Sequence, residues 1–90
     1  MSHAEWVAAA RPAAPPPLVA RVCEVLAANP AWGALPVADA LLQAGESLLA
    51  TVLAARGQMA RTNALDLLAA DACVTWAFEA AADDPDTLVR

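Results

Sequence analysis

Few side chains in this 90-residue sequence can do chemistry, and their spacing limits what they can do. His3 is the lone histidine, so a general base or metal ligand built on imidazole would have to sit at the very start of the chain. There it reads as a solvent-exposed first-turn residue. Cys23 and Cys73 form no CxxC, and HExxH, Glu-x-x-His and Cys–His pairs at zinc spacing are missing from the sequence. Three isolated glycines make no phosphate loop, and neither Ser2 nor Ser47 has the surroundings of a catalytic nucleophile. The expectation is a chain without metal, cofactor or catalytic residues, and a reading that leans away from an enzyme.

Three constellations are left to weigh. Asp71, Thr75 and Glu79 follow i, i+4, i+8 spacing and line one helix face. Joined by acids from another helix they would bind a divalent cation or do acid/base work. Alone they are the solvated side of a mostly buried helix, which is the reading we favour; a buried Asp71 would need Arg21 or Arg61 as partner. Next, Arg56 and Arg61 stand beside Thr62 and Asn63 where a helix is expected to start. That set is a possible anion site, although Arg56 also simply complements a helix C-terminus and Arg61 a loop. Last, Trp6, Trp32, Trp76, Phe78, Met59, Cys23 and Cys73 can line a small-molecule pocket. They serve equally as the large anchors of a core otherwise poor in volume.

That poverty of volume governs the rest. Hydrophobic residues make up 60% of the chain, yet 26 of them are Ala, against twelve Leu, eight Val, three Trp, two Met and one Phe. Alanine favours helix because its side chain loses almost no entropy there, but it fills little space. A lone domain of this size with so few large groups is marginal. Dimerisation is the expected remedy. The formal charge of −5, with no Lys, opposes phosphate neutralisation and adhesion to anionic lipid. Neither nucleic acid nor membrane is therefore an expected partner. The longest uncharged stretch, Val25 to Ala38, is broken by Pro30, Gly33 and Pro36 and is not expected to span a bilayer. With no signal peptide evident, the thiols are expected reduced and the protein cytoplasmic. The Ala, Arg and Asp bias without Lys fits a GC-rich bacterial genome.

The spacing predicts an all-α fold: a bundle of three main helices at about 17–28, 36–56 and 63–82, with a short helical arm at 3–10, completed by dimerisation. Residues 1–16 make the arm and a Pro-rich connector, 17–82 the bundle, and 83–90 an acidic tail. Ser2 and Glu5 spell a capping box for the arm. The stretch Arg11–Pro17 holds one PxxP, read as a stiff spacer. Leu18, Val19, Val22, Val25 and Leu26 give the second helix one apolar stripe, with Arg21 and Glu24 opposite and Asn29-Pro30 as its stop. Trp32 is expected to cover the end of the bundle. Leu41, Leu42, Leu48, Leu49, Val52 and Leu53 form a broad stripe on the third helix, interrupted by Gly45, which points to close approach of another backbone. Gly57 is expected to end that helix and Asn63 to cap the next. There Leu65, Leu68, Ala69, Ala72 and Trp76 share one side, and Leu67, Val74 and Phe78 the other.

Core or interface anchors are accordingly Leu41, Gly45, Leu48, Val52, Leu65, Leu68, Ala72 and Trp76. The function expected is protein–protein association, as an adaptor, assembly or regulatory subunit that is itself a homodimer. The alternative is a helical dimer that binds or converts a small ligand at Arg56 and Arg61. Such small helical enzymes use clustered cations including Lys, which this chain lacks.

Overall fold

Ser2 and Glu5 exchange the two hydrogen bonds of a capping box. The Glu5 amide donates to Ser2 Oγ at 3.1 Å, and the Ser2 amide donates to Glu5 Oε2 at 3.1 Å. They open α1 (His3–Ala10), which is followed by α2 (Pro16–Ala27), a 3-10 turn (Pro30–Ala34), α3 (Val37–Ala55) and α4 (Ala60–Asp83). The computed structural model describes the backbone of residues 2–10, 13–55 and 60–83 and, within these, the side chains of all but 60–62. Among the described residues there is no strand, and the four helices pack together. The all-α expectation holds.

Local signals explain most boundaries. Pro16 and Pro17 occupy the first turn of α2, where a missing amide hydrogen costs nothing. At its other end Asn29 Nδ2 donates to the Val25 carbonyl at 2.8 Å, satisfying an acceptor that the helix leaves open. Trp32 sits in the 3-10 turn and packs, half-buried, against the core. One boundary differs from expectation: α4 begins at Ala60, so Asn63 lies inside the helix rather than at its cap. The expected helix stop at Gly57 lies outside the described residues.

α3 and α4 form the most extensive contact, running antiparallel. Gly45 lies over Cys73, and Ala38 clusters with Ala80 and Ala81 at the opposite end of the pair. A Cβ on Gly45 would stand 3.3 Å from the Ala70 carbonyl oxygen and 3.3 Å from Cys73 Cβ. The close approach read from the sequence is therefore present. α2 lies across this pair through Val22, Val25 and Leu26, and α1 rests on α2 through fully buried Val7. Trp6 reaches from α1 to the Ala38–Ala80–Ala81 cluster. α3 is also the one described helix long and apolar enough to cross a membrane, at mean hydropathy 1.3, a property shared by core helices of soluble proteins.

Among the described residues, nine of the seventeen buried apolar ones are Ala. Leu41, Leu48, Ala72 and Trp76 are buried as expected, and Val52 and Leu65 are half-buried. Leu68, expected in the core or at an interface, is 61% exposed, along with Leu67, Phe78, Leu42, Leu49, Leu53 and Val74. The reason is steric. Helices drawn as close as Gly45 demands can meet only through small side chains, so α4 turns Ala69, Ala70, Cys73 and Ala77 inward. Its leucines are left on the flanks.

Candidate functional site

Of the sequence-read constellations, the fold gathers Trp6, Trp32, Trp76, Cys23 and Cys73 in one core cluster and leaves Phe78 exposed. Arg56 and Met59 lie outside the described residues, as do the side chains of Arg61 and Thr62, and Asn63 stands half-buried within α4. The possible anion site at the α3–α4 connection thus falls beyond what the structure describes. Asp71, Thr75 and Glu79 are all exposed, as a solvated line would be. No three His, Cys, Asp or Glu residues gather as a metal site among the described residues.

The buried carboxylate is Asp66 instead, at 2% exposure. The sequence reading placed its partner, Arg21, on the face of α2 opposite the apolar stripe. Asp66 shares the inward face of α4 with Ala69, Ala70, Cys73 and Ala77, at i, i+3, i+4, i+7 and i+11, and meets α2 there. Arg21 Nε then donates to Asp66 Oδ1 at 2.7 Å and Nη2 to Oδ2 at 3.2 Å, a two-pronged pairing. Arg21 Nη1 also reaches exposed Glu24 at 2.7 Å. These bonds, Asp66 first, hold the Arg21 guanidinium above its ordinary pKa. The set is a structural tie between α2 and α4, with its cation already engaged.

His3 is another correction: rather than facing solvent it is half-buried, with Nε2 within 3.0 Å of the Trp32 carbonyl oxygen. Cys23 Sγ donates to the Ala4 carbonyl at 3.5 Å. Both contacts dock α1. Burial raises the Cys23 thiol and pushes Cys73 up to about 12, so neither is poised as a nucleophile.

What the fold does assemble is a groove between α3 and α4, of about 550 Å³. Its floor is Gly45 and Ala70, its walls are Leu42 and Leu49 on one side and Leu67 and Val74 on the other, and Leu68, Glu46 and Asp71 complete the lining. Helical geometry sets this order. At about 3.6 residues per turn, Leu49 and Leu42 follow Gly45 outward around α3, and Glu46 lies beyond them. Around α4, Ala70 is followed by Val74 and Leu67, and then by Asp71. The opposite flanks, Leu41 and Leu48 on α3 and Ala69 and Trp76 on α4, are the buried ones. The groove therefore has a small-residue floor, leucine and valine walls, and an acid on each rim.

Two stripes of matching spacing produce it: Leu42, Glu46, Leu49, Leu53 on α3 and Leu67, Asp71, Val74, Phe78 on α4, both i, i+4, i+7, i+11. Sequence reasoning merged the leucines of the first with the core stripe. The repeated spacing was the available signal. A search of protein-family models, curated proteins and solved structures finds no match to this chain.

Proposed function

We propose that this chain works by protein–protein association, as a cytosolic adaptor, assembly or regulatory subunit whose contact surface is the α3–α4 groove and its flanks. One observation carries the reading: large apolar side chains stay outside while alanines fill the inside. Seven of them, Leu42, Leu49, Leu53, Leu67, Leu68, Val74 and Phe78, are 40–68% exposed. If a whole large apolar side chain presents on the order of 170 Å², these fractions leave roughly 600 Å² uncovered. Five of the seven line the groove and Leu53 and Phe78 continue its stripes, so the area is spread along two helices. The largest contiguous apolar patch on an ordinary monomer is about 300–600 Å², and patches of that size are often functional. A standard interface takes about 800 Å² from each partner, which the acidic rims would help to complete.

Composition alone favours a second copy somewhere on this surface, and another protein is the other candidate occupant. A small apolar ligand is a second reading, favoured by the groove's volume, which falls within the range of about 300–1,000 Å³ for ligand sites. Photo-crosslinking residues placed at Leu49 and Phe78 in cells, with exposed Ala20 on α2 as control, test the association reading. Protein adducts, to self or to another chain, are expected from Leu49 and Phe78 and not from Ala20. Adducts equally frequent at all three positions, or at none, would overturn it.

A further inference from the structure

We propose that the α3–α4 groove receives an amphipathic helix from another protein, one whose apolar stripe is flanked by Lys or Arg. The inference rests on the association reading and goes further by naming the occupant's chemistry. Three features converge on it.

The shape comes first. A floor of Gly45 and Ala70 lets a docked helix sink between the walls instead of resting on top of them. A helix laid in such a groove presents side chains at i, i+3/i+4 and i+7, and the wall residues follow the complementary spacing. Charge comes second. Glu46 and Asp71 stand one on each rim, both exposed, and among the described residues no basic side chain lines the groove. Arg21, the one arginine whose side chain is described, is on another side of the fold and engaged by Asp66 and Glu24. A long basic side chain on either flank of the incoming helix can lay its methylenes on Leu42 or Leu67 and reach a rim carboxylate with its head.

The third feature removes the competitors. A second copy laid face to face brings acidic rims to acidic rims, a juxtaposition that costs binding energy. An anionic bilayer meets the same repulsion. Of the macromolecules able to cover about 600 Å² of apolar surface, a basic amphipathic helix is the one whose charge fits.

Two synthetic helical peptides of about 18 residues test this, sharing one leucine stripe and differing only in flanking lysines or flanking glutamates. Binding is read by fluorescence anisotropy against the full chain, with light scattering to count copies and amide exchange to locate the contact. The lysine-flanked peptide is expected to bind at least about tenfold tighter. Its advantage should shrink as salt shortens the Debye length, and amides of α3 and α4 should be protected. The double variant Glu46→Lys/Asp71→Lys, made at exposed positions and checked for unchanged helicity, should reverse the order of the two peptides.

Equal binding of both peptides, or an order unchanged in the double variant, would overturn the basic-helix inference while leaving association standing. A dimer whose own amides protect the groove would do the same. If neither peptide binds, the chain scatters as a monomer, and the face is covered by phosphatidylcholine vesicles or by nothing, both the inference and the association reading fall.

Discussion

The guanidinium of Arg21 grips the carboxylate of Asp66 with two donors, joining α2 to α4 across forty-five positions of sequence. The carboxylate is buried and the arginine side chain retains 25% exposure, so the two partners are not equivalent. Removing the arginine strands a negative charge in the interior. Removing the carboxylate leaves a cation that can turn toward water and Glu24. Arg21→Met should therefore destabilise the fold by about 3–5 kcal/mol, and Asp66→Asn by clearly less. Urea unfolding of both variants checks the order; equal costs would contradict the asymmetry, and negligible costs in both would show that α2 is held by packing alone.

Trp76 is buried to 7% exposure among alanines that cannot fill its place. Trp76→Ala should cost about 3–5 kcal/mol, the range for truncating a buried large aromatic. In a chain this short that is much of the total stability. Circular dichroism during thermal unfolding reads it, and a loss under 1 kcal/mol (on the order of a surface change) would contradict the assignment of Trp76 to the core.

At Gly45 the outcome depends on the size of the side chain introduced. A methyl group would sit 3.3 Å from both the Ala70 carbonyl oxygen and Cys73 Cβ, tight but near what a small shift of the helices relieves. Alanine also gains roughly 1 kcal/mol in helix propensity over glycine. Gly45→Ala should then change stability by less than about 1 kcal/mol, and Gly45→Leu should cost about 1–3 kcal/mol through overpacking. A leucine variant as stable as the parent would show open space where the structure shows backbone.

Cys73 makes stability fall with alkali. Burial pushes its thiol from an ordinary 9.0 to about 12, so the folded chain keeps the proton over a range in which the unfolded chain releases it. Its contribution is complete below pH 9 and is lost as the pH rises from there toward 12. Cys73→Ala should flatten the decline in unfolding free energy across that window. In the native protein at pH 8, thiol reagents should label Cys23, which is half-buried, before Cys73.

Local signals were legible where one residue does one job. Ser2 with Glu5, Asn29 and Gly45 each carried a capping or spacing rule that the fold obeys. α4 was harder because it is apolar on most faces, so its periodicity alone did not say which side turns inward. Side-chain size nominated Leu68, but the approach forced by Gly45 admits Ala69 and excludes leucine. Asp66 shares that small-residue face, so the same ambiguity of side hid its pairing with Arg21. The groove was illegible for a related reason: neither helix contains it. It exists only where two outward stripes come side by side, and that register is a tertiary fact.

The alanine-lined contact between α3 and α4 also has a calorimetric consequence. Heat capacity on unfolding rises with the apolar area released to water, ordinarily about 12–15 cal/mol/K per residue. Methyl groups release little, and the leucines that would release more are already wet in the folded chain. Unfolding of the isolated protein should therefore fall below that range and give a shallow stability curve. Covering the groove should restore the missing heat capacity as a negative change on binding. On the proposed reading, a share of the hydrophobic effect that most domains use in folding is held over for a second event.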